Sequence, residues 1–164
     1  MKKLLITAAL AAAAVSSAFA GDVKVGDVTV DYGRPSVGAR YSYSWESANW
    51  NMLGVTAGSK WDKIGVEGSF DRSTTGPSNV NKWGIVGSYD VYKLHGATIA
   101  AKVGAAYVTP SVSNAGWLGV VGFGVSYPLS ANTSLTGDYS YQNGSSVVSD
   151  YNGNVVSFGI KYSF

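Results

Sequence analysis

Residues 36–46 read SVGARYSYSWE, and this stretch decides the fold class because apolar and polar side chains alternate along it. One set of alternate positions is apolar and consists of Val37, Ala39, Tyr41, Tyr43 and Trp45. Small, polar or charged residues fill the other set. Successive side chains of a β-strand point to opposite faces of the sheet. The stretch therefore predicts a strand with one apolar face and one polar face.

The same alternation recurs seven more times along the chain. The further segments are residues 53–61, 64–71, 83–91, 99–107, 117–127, 135–142 and 156–164. Only Asp62 and Lys63 separate the second segment from the third, and so short a link predicts a hairpin between antiparallel strands. Short links, such as 93–96 and 129–133, alternate with longer polar ones, such as 72–81 and 143–153. The chain therefore reads as eight antiparallel strands in up-and-down order.

The charged residues of these segments all fall on the polar face. They are Arg40, Glu46, Lys60, Glu67, Asp71, Asp90, Lys102, Asp138 and Lys161. An Arg or Lys that faces lipid at the bilayer midplane costs about 2 to 4 kcal/mol, so this distribution suits a barrel wall in contact with lipid. A soluble β-sandwich or a lipocalin-like barrel is the alternative, but it would bury these charges in its core. We therefore predict an all-β, eight-stranded antiparallel transmembrane β-barrel.

Composition supports a membrane protein whose spans are strands. Charged residues make up 13% of the chain, against about 25% in typical soluble proteins, while aromatic residues also reach 13%. No segment after residue 20 approaches the roughly 20 consecutive apolar residues of a spanning helix. The chain has no cysteine, which excludes disulfides and thiol chemistry. In bacterial barrels the short links are periplasmic, so we expect both ends of the barrel in the periplasm.

Residues 1–20 are predicted to be a cleaved secretory signal peptide. Lys2 and Lys3 precede a short apolar run, and Ala18 and Ala20 fit the small-residue cleavage pattern. Without this segment ten basic and ten acidic residues remain, so no net positive charge points to nucleic acid. Residues 21–35 fit either a further short strand or a periplasmic leader. The barrel itself is predicted over residues 36–164.

Two stretches resemble known bacterial outer-membrane barrels. Residues 156–164 look like the closing strand of such barrels, with Phe158, Ile160, Tyr162 and Phe164 on alternate positions. Residues 122–130, GFGVSYPLS, followed by 134–141, SLTGDYSY, resemble the penultimate hairpin of the small opacity-protein-like and OmpA-transmembrane-like barrels. The resemblance implies an outer-membrane location, contact with lipid and lipopolysaccharide, and insertion by periplasmic chaperones and the barrel-assembly machinery. Phe158, Ile160, Tyr162 and Phe164 would be the assembly signal, and we expect a monomer.

Catalytic and metal chemistry find little support in the sequence. His95 is the single histidine, and it falls in a predicted turn without a serine and an acid nearby to form a triad. One histidine, no cysteine and scattered carboxylates match neither a zinc site nor a calcium loop. We therefore expect no cofactor, no metal and no enzyme activity.

Four inward charges near the middle of alternate strands form the most promising constellation. They are Arg40, Glu67, Lys102 and Asp138. An eight-stranded barrel has an interior just wide enough for side chains, so these four should meet in an internal network that plugs the lumen. We therefore expect a non-enzymatic barrel with a structural or surface-interaction role. A narrow pore for ions or small solutes is the first alternative, and a lipid A-modifying enzyme is the second.

Overall fold

The computed structural model describes residues 23–25, 28–30, 33–45, 50–75, 79–111 and 114–164. The predicted signal peptide, residues 1–20, and Glu46 lie outside these ranges. Two short strands come first, β1 (Val23–Val25) and β2 (Val28–Val30). The long strands are β3 (Arg34–Ser44), β4 (Asn51–Trp61), β5 (Ile64–Thr75), β6 (Val80–Leu94), β7 (Ala97–Pro110), β8 (Gly116–Pro128), β9 (Thr133–Gly144) and β10 (Gly153–Ser163).

Strands β3 to β10 form one closed barrel in which each strand pairs with its neighbours in the sequence. The last strand closes the ring on the first, in register from Val155 opposite Ser44 to Ser163 opposite Ser36. All eight pairings are antiparallel. Closure leaves no strand edge without a partner. The predicted eight-stranded up-and-down barrel is confirmed, and the alternative of a two-sheet sandwich is wrong.

The strands extend further than the alternation indicated. β3 begins at Arg34 rather than at residue 36, and β5 and β6 take up most of the predicted loop 72–81. Residues 73–75 are serine and threonine on both faces of the strand, so the alternation of apolar and polar residues ends there. The backbone pairing of β5 nevertheless continues to Thr75. The predicted turn 93–96 is only two residues long, His95 and Gly96, both with positive φ. Positive φ at both central residues is typical of a tight hairpin turn.

Residues 21–35 were expected to form a further short strand or a periplasmic leader, and within this stretch the structure describes two short strands before β3. β1 and β2 pair antiparallel with each other, with Val23 opposite Val30 and Val25 opposite Val28. They form a two-stranded sheet separate from the barrel sheet.

The two faces of the barrel wall differ as the alternation predicted. Large apolar side chains such as Ile85, Val103 and Phe158 are more than half exposed on the outside. A charge beyond the predicted segments also lies on the outer face. Arg72 belongs to β5, where it is exposed and follows the buried, inward Asp71 by one position. The outer surface is therefore apolar along the middle of the strands and carries a cation near the end of β5.

The link between β9 and β10 contains the one helix found in the described ranges, a 3₁₀ helix over Ser146–Tyr151. Across those ranges no helix combines the length and apolarity that crossing a membrane would require.

Candidate functional site

The interior of the barrel is the candidate site, because the predicted charges lie there. It contains three regions along the barrel axis. A polar cavity opens at the end with the short turns. A set of ion pairs crosses the middle and is here called the ionic layer; its members are Arg40, Glu67, Asp71, Lys102, Asp138 and Lys161. A cluster of buried apolar side chains, here called the apolar plug, occupies the end with the long links.

The main ion-pair partner of Arg40 is Asp71, which was not among the four charges predicted to form the network. The guanidinium donates from Nε and one terminal nitrogen to the two carboxylate oxygens of Asp71, at 2.8 and 2.6 Å. Asp71 is fully buried. Arg40 and Asp71 lie on either side of Gly54 in register across β4, and a Cβ at Gly54 would overlap the Asp71 carboxylate. Glycine on the strand between them therefore lets the two charges meet.

The other predicted charges join the ionic layer as two further pairs. Glu67 lies 3.9 Å from Arg40 and also accepts a hydrogen bond from the ammonium group of Lys161. Lys102 donates to Asp138 at 2.5 Å. Arg40 with Glu67 and Lys102 with Asp138 are thus brought together, while no ion pair within the described residues joins these two sets directly. The ionic layer thus combines three cations with three anions.

A glycine also leaves space for the Lys102–Asp138 pair, as Gly54 does for the Arg40–Asp71 pair. Asp138 faces Gly124 of β8 in register, and a Cβ there would overlap the Asp138 carboxylate and lie 2.8 Å from Cε of Lys102. A side chain at Gly124 would therefore separate the pair.

The polar cavity has a volume of about 280 Å³. Its lining reaches from turn residues such as Gly96 and Asn132 down to Glu67 and Lys102 of the ionic layer. A further ion pair, Lys60 with Asp90 at 2.6 Å, lies in its wall. The cavity is thus lined by turn residues at the short-turn end and by charges of the ionic layer at its other end.

The apolar plug was not recognised in the sequence. Its members are Trp50, Met52, Val80, Ala106, Val108, Leu118, Val148, Tyr151 and Val155, all buried. Burial of a valine, leucine or methionine side chain stabilises a fold by about 1.5 to 3 kcal/mol. Leu118 is an apolar residue on the inward face of the sixth predicted segment, residues 117–127. The remaining members lie mostly in links or at strand ends, where alternation gives no signal.

Val148 of the 3₁₀ helix packs among the buried apolar side chains at this end of the barrel. Its side chain is fully buried although it comes from a link rather than a strand. It lies against Gly116 and Gly144, where added Cβ atoms would fall 2.8 and 2.7 Å from its methyl groups. The side-chain oxygen of Asn152 accepts a hydrogen bond of 2.7 Å from the amide of Gly144 and ties the link to β9.

Lys82 lies between the plug and the ionic layer. It faces Asp71 in register across β5 and β6, is 3% exposed, and places its ammonium group 5.2 Å from the centre of the Trp50 ring. The alternation did not indicate this residue as an inward charge, because the fourth segment was predicted to begin at Trp83. Its position adds a second cation beside the Asp71 carboxylate.

The remaining predicted residues lie away from this interior. His95 is exposed in its turn. Phe158, Ile160 and Tyr162 are exposed on the outer face of β10, and Phe164 follows the strand, with its ring 5.1 Å from that of Tyr162. Within the described ranges, no three side chains of the kinds that ligate metals come together.

Known structures resemble this barrel, although no protein-family model and no curated protein matches the sequence. Neisserial surface protein A is similar with a TM-score of 0.57 and 17% identity, over 80% of this chain and 96% of that one. Ail of Yersinia pestis in a phospholipid nanodisc gives a TM-score of 0.53 and 15% identity, over 80% and 99%. A de novo designed transmembrane β-barrel gives 0.56 and 14%, over 82% and 98%.

Two of these three are natural bacterial proteins of the class that the closing strand and the penultimate hairpin resemble. At such identities the likeness concerns the fold. The chain has the fold of the small eight-stranded outer-membrane β-barrels.

Proposed function

We propose that this chain is an integral outer-membrane barrel with a closed lumen, no catalytic site and a structural or surface-interaction role. The observation that carries the proposal is the inverted distribution of polarity. Ion pairs lie inside a closed ring of strands, and large apolar side chains cover the outside. In water, such a surface would be a serious aggregation liability, whereas in a bilayer it is the stable arrangement.

The surface role is supported by the similar structures and by the position of the long links. Ail is the attachment invasion locus protein of Yersinia pestis, and the neisserial relative is a surface protein. Both ends of the barrel sheet lie at the short-turn end, where the backbone amide of Phe164 donates to the carbonyl of Pro35. With that end in the periplasm, the long links would face the cell exterior.

Membrane insertion is tested by cell fractionation and by gel mobility. The protein should be recovered with the outer membrane, and it should migrate faster on a detergent gel when unheated than after boiling. Recovery as a soluble periplasmic species without a heat-dependent shift would contradict the proposal. Mass analysis of lipid A from cells with and without the protein would expose the enzymatic alternative.

Closure of the lumen is tested by conductance in planar bilayers. We expect little steady current from the wild type, because the ionic layer and the apolar plug lie one above the other along the axis. Leu118→Ala removes a side chain that is 1% exposed in the plug and should raise the conductance. Leu135→Ala, which truncates an exposed leucine on the outer wall, is the matched control. Stable open channels from the wild type would instead support the narrow pore.

A further inference from the structure

A groove on the outer wall differs from the rest of the apolar surface. It has a volume of about 430 Å³ and runs across strands β4 to β8. Small residues form its floor, namely Ala57 of β4, Gly68 of β5 and Ala105 of β7. These positions fall in one row, because Ala57 faces Gly68, Gly68 faces Ile85, and Ile85 faces Ala105 in register. The wall is therefore recessed at Ala57, Gly68 and Ala105, while the exposed side chain of Ile85 projects between the last two.

A continuous row of aromatic rings borders the groove on the side of the long links. Phe70, Trp83, Tyr107 and Trp117 are consecutive register partners on four adjacent strands. The ring centres of Phe70 and Trp83 are 4.4 Å apart, and those of Tyr107 and Trp117 are 5.0 Å apart. Tryptophan and tyrosine prefer the membrane–water interface. In a bilayer, this row would therefore mark the level where acyl chains give way to headgroups.

Three polar side chains follow one step beyond the aromatic row on the same face. Arg72, Asn81 and Thr109 are again consecutive register partners, each two positions from a ring of the aromatic row. Arg72 makes no ion pair with any described residue. Guanidinium, amide and hydroxyl groups are common donors to phosphate oxygens. A cation and two polar groups thus lie directly above an apolar recess.

We propose that this groove and the polar row above it bind one anionic, phosphate-bearing lipid in the leaflet at the long-link end. An acyl chain would occupy the recess over Gly68, against the side chain of Ile85. The phosphate would accept hydrogen bonds from Arg72, with Asn81 and Thr109 beside it. The polar row matches the anionic headgroup of such a lipid, and the recess matches its acyl chain. This inference rests on the proposed insertion of the barrel in a membrane.

The experiment measures lipid retained by the purified barrel in detergent, using native mass spectrometry. The probes are phosphatidylglycerol and phosphatidylcholine with the same acyl chains, and the wild type should retain the anionic lipid preferentially. Arg72→Gln should weaken phosphatidylglycerol binding about fivefold, because one basic residue near a membrane surface contributes about that factor. Lys93→Gln removes another exposed cation, at the short-turn end, and should leave the binding unchanged.

The recess is tested by filling it. A Cβ at Gly68 would meet only backbone oxygens, at 3.7 and 4.0 Å, so Gly68→Leu should be accepted by the fold while it occupies the groove. Retention of phosphatidylglycerol should fall, because the leucine side chain takes the place of the acyl chain in the recess and removes its van der Waals contacts with the wall. Gly87→Leu is the matched control, since Gly87 is equally open, at 3.7 Å from the nearest atom, and lies outside the groove.

Each variant is first checked for the heat-dependent gel shift. A wild type that never inserts would overturn the proposed function and this inference together. A wild type that inserts but retains both lipids equally would overturn the inference alone. Equal losses for Arg72→Gln and Lys93→Gln, or for Gly68→Leu and Gly87→Leu, would also overturn it. A dimer that dissociates on Gly68→Leu, with lipid retention unchanged, would assign the groove to a second copy of the chain and refute lipid binding.

Discussion

Replacement of Arg40 by methionine should destabilise the barrel by about 3 kcal/mol. The side chain keeps most of its volume, but the change leaves the Asp71 carboxylate, which is 0% exposed, without the two hydrogen bonds of 2.8 and 2.6 Å. Removing one partner of a buried ion pair costs about 3 to 5 kcal/mol. We take the lower end of that range because Lys82 faces Asp71 in register and still supplies a cation nearby.

The double variant Arg40→Met with Asp71→Leu should regain most of the lost stability. Both charges are then replaced by apolar side chains, so no buried charge is left without its partner, and such replacements are often neutral or stabilising. Arg72→Met is the control, because Arg72 follows Asp71 in the sequence but is exposed on the outer face. It should change the free energy of unfolding by less than about 0.5 kcal/mol.

The assay is equilibrium unfolding in guanidinium, with the protein refolded in zwitterionic detergent micelles and followed by tryptophan fluorescence and by gel mobility. A loss of about 3 kcal/mol corresponds to a change of more than a hundredfold in the unfolding equilibrium constant. The reasoning would be refuted by a single variant as stable as the wild type. It would equally be refuted by a double variant as unstable as the single one.

Three further predictions follow from the interior and from the last strand. Gly124→Val should separate Lys102 from Asp138 and cost about 2 kcal/mol in the same unfolding assay, whereas Gly119→Ala, with 3.6 Å to its nearest neighbour, should be neutral. Val148→Ala should speed hydrogen exchange of the 3₁₀ helix about tenfold, from the loss of roughly two buried methylenes, and an unchanged exchange rate would contradict the packing role of Val148. Deletion of Phe164 should reduce the amount of protein in the outer membrane, and normal levels would argue against the assembly signal.

The outward and inward faces of the barrel were predictable, but the ion-pair partners were not. Arg40, Glu67, Asp71, Lys102, Asp138 and Lys161 were all placed inside from the alternation alone. Their pairing depends on which residues of neighbouring strands lie in register, and on glycines such as Gly54 that leave space between two charges. Asp71 was therefore placed on the right face without being recognised as the main partner of Arg40.

The sequence alone predicted the number of barrel strands, their antiparallel order and the face to which the side chains of the eight segments point. These properties are local, because alternation is read from adjacent residues and a two-residue link fixes a hairpin. The tertiary structure alone decided the contents of the lumen. Closure of eight strands sets the stagger between them, and this stagger brings Arg40 to Asp71, Lys102 to Asp138, and Val148 into the space between Gly116 and Gly144.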